Sequence, residues 1–260
     1  MLRLPNGIHR RELGDGTRVF VKVRHDAPPG FFAAEARGLG ALAAARALRV
    51  PKVLAQGEGA IALEDLGEGR AAARGWERAG ADLAVLHRNT AARFGFHAPG
   101  WCGDGAQDNS WEVDGFRFFA ERRLLAQGRL ARDGGYLESR DVVRLEALCQ
   151  RLPSLLPDRT CALIHGDLWT GNLHACADGG LALIDGAAVH YGWAECDLAM
   201  LVLFGETDRA LFRSYEAAAG IEDDWRSRAP ILNLYHLLNH LNLFGPAYLA
   251  AVRHVLARWG

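Results

Sequence analysis

"LIHGDLWTGNLHACADGGLALIDG", Leu163 to Gly186, sets His165, Asp167, Asn172 and Asp185 beside two short apolar runs. His165-Gly-Asp167 is followed by Asn172 after four intervening residues, and Asp185 lies thirteen residues beyond Asn172. "HGDLWTGN" shows neither helical nor alternating periodicity, so it reads as a loop at the end of the strand "CALI". "LHACADGGLALID" reads as a hairpin whose second strand ends on Asp185. A hairpin folds back on itself, which puts Asn172 and Asp185 side by side. Phosphoryl transfer from a nucleotide needs such a set: a carboxylate to take the proton of an attacking hydroxyl, and oxygen ligands to hold Mg²⁺ against phosphates. Asp167 fits the base, and Asn172 and Asp185 fit the metal ligands. Any one of these residues alone commonly just caps a turn; the spacing of all of them together points to chemistry.

The same chemistry requires a cation on the phosphates, held by an acid on a neighbouring helix. The chain has 30 basic residues, and all but Lys22 and Lys52 are arginines. Lys22 sits mid-strand in "VFVKV", and Glu35 lies in the following helix "FFAAEARGL". An ammonium reaches as a compact point charge where a guanidinium forks, so a lysine at this place is informative. Lys52, beside Pro51, reads as a surface residue. Upstream, Asn6-Gly7 supplies a turn where backbone N–H groups approach phosphates, a weak signal because it holds a single glycine.

Outward from these residues the organisation is two lobes. "TRVFVKVR" alternates apolar and polar residues after the turn signal "LGDG". "PPGFFAAEARGLGALAAARAL" reads as a helix, and "VPKVLAQGEGAIALEDL" as two strands joined at Gly57–Gly59. Residues 1–66 thus form a small β-rich lobe of hairpin, helix, hairpin, with a hinge near Glu64–Gly69. Residues 67–260 form a larger helical lobe. In it "GWERAGADLAVLHRNTA" and "FRFFAERRLLAQGRLA" have helical spacing, "DVVRLEALCQRL" reads as a helix ending before Pro153, and "FGFHAPGWCGDGAQDNSW" reads as loop. The fold class is α+β.

At 260 residues, 50% hydrophobic and 23% charged, the chain can bury a substantial core. A formal net charge of −1 provides no global field toward nucleic acid or an anionic membrane, and neither is an expected partner. No apolar run reaches the length of a bilayer span, and the N-terminus lacks the apolar core of a signal peptide. Five scattered cysteines without a C-x-x-C argue against a disulfide framework. The expected compartment is the cytoplasm. Oligomeric state is not encoded in any pattern found.

"HGDLWTGN", "DGAAVHYGWAECDLAMLVLFG" and "LYHLLNHLNLFG" resemble the fructosamine kinase (ketosamine-3-kinase) family, a branch of the aminoglycoside and choline phosphotransferases. The resemblance covers nearly the whole chain and implies a protein-kinase-like two-lobe fold. It implies Asp167 as catalytic base, Asn172 and Asp185 as Mg²⁺ ligands, and Lys22, paired with Glu35, on the ATP phosphates. It places adenine on backbone groups of the hinge "LEDL", at Glu64 and Leu66, with Gly7 near the phosphates. Asp197 in "ECDLAM" would brace the catalytic loop. The implied reaction is phosphorylation of the 3-hydroxyl of a ketoamine sugar (a ribulosamine, erythrulosamine or fructosamine), after which the adduct decays and frees the amine. The alternative is a kinase of the same fold acting on an aminoglycoside or amino alcohol. A catalytically dead scaffold disagrees with the filled catalytic positions.

There are two departures from the family pattern. Gly186 stands where the family usually has proline, which is expected to loosen the metal-binding turn. The chain also starts almost on the phosphate hairpin. Trp169, His240 and Trp111 are candidate acceptor contacts, as are Gln107 and Asn109. His236 and His240 are one helical turn apart, but with no third ligand evident in the sequence they read as packing or pocket-lining residues rather than a zinc pair. His174 and Cys176 read as ordinary hairpin residues.

Overall fold

The computed structural model describes residues 4–205 and 207–260. The chain opens with strands β1 (Gly7–Glu12) and β2 (Arg18–Val23), helix α1 (Phe31–Ala44), strands β3 (Val53–Gly57) and β4 (Ala60–Glu64), and helix α2 (Ala73–Leu86). A short hairpin follows, β5 (Gly100–Cys102) and β6 (Gly105–Gln107), then α3 (Gly115–Phe119), a π-helical turn over Ala120–Leu124, α4 (Leu125–Asp133), α5 (Ser139–Leu155) and β7 (Ala162–Ile164). Strands β8 (Leu173–Ala175), β9 (Leu181–Leu183) and β10 (His190–Gly192) lead into helices α6 (Glu195–Leu201), α7 (Arg209–Ala219), α8 (Trp225–Phe244) and α9 (Leu249–Trp259). These elements form two compact units, each discontinuous in sequence.

The first unit comprises residues 1–89, 170–189 and 207–221. Its sheet is antiparallel in the order β1-β2-β4-β3, which makes β2, the lysine-bearing strand, internal. Lys22 is opposite Ile8 on one side and Ile61 on the other. Helix α1 packs on this sheet through Phe32 and Leu39, which join Ile61 and Leu63 in a buried cluster. The hairpin β8–β9 is in register from Leu173↔Leu183 to Ala175↔Leu181. Ala182 and Cys176 are buried with Leu66, so the hairpin's core face meets the end of the hinge segment.

Where α1 meets the turn after β9, there is no room for side chains. A Cβ on Gly38 would lie 1.7 Å from the carbonyl oxygen of Gly186, and a Cβ on Gly186 would lie 2.7 Å from the backbone nitrogen of Leu39. Gly186 is buried and carries close backbone approach. The expected loosening of the turn is therefore corrected: glycine here permits tight packing, and a proline would force α1 outward.

The second unit comprises residues 90–169, 190–206 and 222–260. Helix α8 is buried along much of its length and packs against α4, α6 and α9, while α5 packs against α4 and α9. Strand β7 pairs antiparallel with β10. Three local features differ from the sequence reading. Helix α5 runs through Pro153 to Leu155: Leu145, Leu148 and Leu152 bury its face, and the proline removes one backbone hydrogen bond close to the helix end. The stretch read as loop contains the β5–β6 hairpin. The helix expected over "FRFFAERRLLAQGRLA" is interrupted by the π turn, which brings in Arg123, 2% exposed. Its guanidinium donates to the Asp108 carbonyl and to Asn109 Oδ1, pinning the preceding loop.

Glycine contacts on α1 give a direct test. Gly38→Ala should destabilise the protein by about 1–3 kcal/mol or more, as overpacking does. Gly40→Ala, on the same helix with nothing within 4 Å of the new Cβ, should be neutral or gain up to about 1 kcal/mol. Paired thermal melts check this, and equal Tm values for the two variants would refute the close approach.

Candidate active site

In the first unit, β2, α1 and the end of the β8–β9 hairpin deliver three charges to one point. Lys22 Nζ donates to Glu35 Oε1 at 2.7 Å and also to Asp185 Oδ1. Glu35 is buried on α1, and a carboxylate in that position needs a partner; Lys22, 20% exposed, provides it. Asp185 follows β9 in the left-handed region, φ 61 and ψ 55, which turns its carboxylate out of the hairpin while the next residues pack on α1. Its side chain stays 44% exposed. Asn172 is buried in the 3₁₀ turn before β8, and its carbonyl accepts from the N–H of Ile184. Asn172 and Asp185 are thus neighbours across the hairpin, one residue out of line with that bond. One ammonium against two carboxylates leaves the cluster with a net charge of −1, and its oxygen atoms are hard donors of the kind a small divalent cation takes.

A cavity of about 130 Å³ opens beside this cluster, lined by Ile8, Phe20, Leu63, Leu66 and Ile184 on its apolar walls and by Lys22 and Asp185 at its charged end. Glu64 and Leu66 both line it. The Glu64 N–H is bonded to the Lys52 carbonyl, and its carboxylate accepts from Arg49 and from the Lys52 N–H. Gly7, at φ 125, opens β1 opposite Val23 and does not line this cavity; its neighbour Ile8 does. His174 also lines it, and its Nε2 donates to the Gly67 carbonyl, tying the hairpin to the segment after the hinge.

In the second unit, the loop after β7 carries Asp167. Asp197, on α6 and fully buried, accepts the N–H of His165 and of Gly166 at 2.8 and 2.9 Å, and Gly166 takes φ 80. The Asp167 N–H donates to His165 Nδ1. These bonds fix the loop from within. Burial pushes the Asp167 carboxyl above the usual carboxylate range, with the Asp197 charge adding to the rise and His165 opposing it. The side chain remains 23% exposed, toward a cavity of about 380 Å³.

That cavity is lined by Asp167, Cys102, Trp169, Phe204, Asn239 and His240, with Phe244 and Tyr248 completing an aromatic wall. Trp169 is 43% exposed, so it is not a core residue. His240 packs on Phe204, Phe244 and Tyr248 with ring centroids 5.1–5.4 Å apart. Trp111 stands apart: it stacks near Tyr191 and under the Arg93 guanidinium, and is no part of this lining. Gln107 and Asn109 are buried and engaged, Gln107 with the Tyr235 hydroxyl and Asn109 with Arg123. Sequence reasoning did not single out Phe204, Phe244 and Tyr248, nor Ile8, Phe20 and Ile184, which are apolar residues carrying no motif of their own.

A family model described as fructosamine kinase matches residues 8–259. A Synechocystis protein named "Probable ketoamine kinase" is 38% identical over 248 residues, covering 92% of this chain and 82% of its own. The chloroplastic protein-ribulosamine 3-kinase of Arabidopsis thaliana is 32% identical over 253 residues, 93% of this chain and 76% of its own. A Thermobifida fusca crystal structure bearing the name fructosamine-3-kinase superposes with a TM-score of 0.89 at 37% identity, covering 96% of this chain and 88% of the other.

The raised Asp167 pKa makes a signed prediction. A carboxyl with a folded pKa above its unfolded value contributes stability at low pH that is lost as pH rises through the folded pKa. Asp167→Asn should therefore raise Tm relative to wild type at pH 7, and the gain should shrink as pH falls toward 4. A variant less stable at pH 7 would show that the ionised carboxylate is compensated in the fold.

Proposed function

The chain belongs to the fructosamine kinase family, and on that premise we propose that it transfers the γ-phosphoryl group of ATP to the 3-hydroxyl of a ketoamine sugar, through the roles set out below. The fold is protein-kinase-like. The observation that carries the reading is Asp167: a loop braced by Asp197 presents one carboxylate to a cavity walled by aromatic rings.

Asp167 accepts the proton of the attacking hydroxyl as the new oxygen–phosphorus bond forms and the bond to ADP breaks. A carboxylate with a raised pKa is a better base than an exposed one, provided it is ionised at the working pH. Lys22 supplies positive charge to the phosphates, and Glu35 keeps the ammonium in place. Adenine lies against Leu63, Phe20 and Ile184, with the Glu64 carbonyl and the Leu66 N–H as its hydrogen-bonding groups and the Gly7–Ile8 backbone toward the phosphates. The oxygen donors Asn172 and Asp185 fit Mg²⁺, which when bound neutralises phosphate charge. Residues 1–66 are the nucleotide-binding part and 67–260 the catalytic and acceptor-binding part of this scheme, a functional division. Trp169 and His240 contact the acceptor. Ribulosamine, erythrulosamine and fructosamine adducts form the candidate acceptor panel, and decay of the phosphorylated adduct frees the amine. Among the described residues no helix is long and apolar enough to cross a membrane. The free cysteines fit a reducing compartment, for which we propose the cytoplasm.

Three variants test these roles. Asp167→Asn should lower kcat by about 100-fold or more with ATP affinity nearly unchanged. The wild-type acid limb of kcat/KM should lie above the range of an exposed aspartate, and a kcat within tenfold of wild type would exclude Asp167 as the base. Asp185→Ala should abolish activity with little rescue by excess Mg²⁺; full rescue would remove it from the metal ligands. Trp169→Ala should raise KM for the sugar and leave both KM for ATP and Tm nearly unchanged, because the ring is largely exposed.

A further inference from the structure

Three donor atoms of different chemistry meet beside Asp167 in the second unit. Cys102 comes from β5 and is 1% exposed, and His236 comes from α8 and is 4% exposed. Cys102 Sγ lies 3.8 Å from His236 Nδ1, and His236 Nδ1 lies 3.9 Å from Asp167 Oδ1. All three atoms fall within 4.8 Å of one another. A tetrahedral zinc ion with metal–sulfur and metal–nitrogen bonds of about 2.3 and 2.0 Å holds those two donors roughly 3.5 Å apart. The Cys102–His236 spacing is therefore within a few tenths of an ångström of a ligand pair, and the His236–Asp167 spacing of 3.9 Å exceeds the roughly 3.3 Å of a nitrogen–oxygen pair by about half an ångström. The third ligand that the His236–His240 spacing lacks in sequence comes from elsewhere in the fold, and the pair itself is not the site.

We propose that Cys102, Asp167 and His236 bind one zinc-class transition-metal ion, and that its occupancy withdraws Asp167 from the acceptor hydroxyl and inhibits phosphoryl transfer. The inhibitory half rests on Asp167 being the base, as proposed above; the metal site rests on geometry alone. A thiolate and an imidazole select a softer ion than Mg²⁺, which takes oxygen ligands, so the two metals do not share a preference. Cys102 and Asp167 both line the cavity of about 380 Å³, which provides an entry path and leaves a fourth coordination position for water. On binding, the sulfur–hydrogen bond of Cys102 is replaced by a sulfur–metal bond, and the proton leaves to solvent.

The competing reading is a hydrogen-bonded cluster in which the Cys102 thiol merely orients Asp167. Cobalt(II) separates the two. Titrating the full-length protein with Co²⁺ in the absence of nucleotide should give a near-ultraviolet thiolate-to-cobalt charge-transfer band saturating at one equivalent, displaced by Zn²⁺. Cys102→Ser should abolish the band, and Cys176→Ser, at a cysteine in the other unit, should retain it. His236→Gln is the second variant, expected to weaken binding at least tenfold, and circular dichroism checks that each variant is folded. Turnover is then measured at fixed excess Mg·ATP with zinc set by a metal buffer. Wild type should lose at least nine-tenths of its rate, recoverable with a chelator, while Cys102→Ser should lose much less relative to its own zinc-free rate. The absence of the band, or its survival in Cys102→Ser, overturns the site. Binding with an unchanged rate overturns the inhibitory step, and with it Asp167 as the base, while the site itself stands.

Discussion

The ammonium of Lys22, held between the carboxylates of Glu35 and Asp185, is the interaction on which the first unit is organised. A buried Glu35 without Lys22 would carry a desolvation cost of several kcal/mol, so strand β2 and helix α1 are locked to each other's register. Asp185 enters only because the turn after β9 comes against α1 with no side chain between them. Gly38 and Gly186 are the means: each has its backbone where the other's Cβ would be. A helix that sat one side chain farther away would leave the chain with a lysine–glutamate pair and an unconnected aspartate. The net negative charge of the cluster suits the divalent cation that the proposed reaction requires.

In the second unit the organising charge is Asp197. Fully buried, it is compensated by two backbone N–H groups of the loop it supports, which is an inexpensive way to hold a carboxylate in an apolar interior. The consequence is electrostatic as well as geometric. Asp197 adds to the burial that raises the Asp167 pKa, so the group that fixes the loop would also strengthen Asp167 in its proposed role as base. Under the proposed role, stability and function pull in opposite directions at Asp167: the ionised form that a base requires is the form the fold disfavours.

Much of the fold and of the candidate site was legible in the sequence because the candidate groups are few and differ in kind from their surroundings. Lys22 stands out in a chain that otherwise uses arginine, and Asp167, Asn172 and Asp185 stand between apolar strands. The hairpin, helix, hairpin order of the first lobe followed from alternation and turn residues alone. What escaped was set by contacts between distant segments. Gly186 looked like a loosened turn because its neighbour, Gly38, is far away in sequence. The π turn arises because Arg123 must reach Asp108 and Asn109, a need no helical periodicity records. Trp111 looked like a pocket residue from its polar, glycine-rich context, yet its ring is taken up by Tyr191 and Arg93.

The character of the cavity beside Asp167 bears on which acceptor suits the proposed reaction. An aminoglycoside carries several ammonium groups, and a site for it would need several carboxylates to replace their hydration. Among the described residues lining this cavity Asp167 is the single acid, and the wall includes Trp169, Phe204, His240, Phe244 and Tyr248. Rings of this kind suit the apolar face of a sugar and tolerate one cationic amine through cation–π attraction, about 0.5–2 kcal/mol at such sites. A ketoamine presents that combination: a largely neutral sugar and one amine. Burial holds the His236 ring down to about 3 and lowers His240 as well, so neither imidazole adds a positive charge to repel it at neutral pH. With no other fixed charge among the described lining residues, Asp167 is the group to which, in the proposed reaction, a sugar hydroxyl would hydrogen-bond for proton transfer.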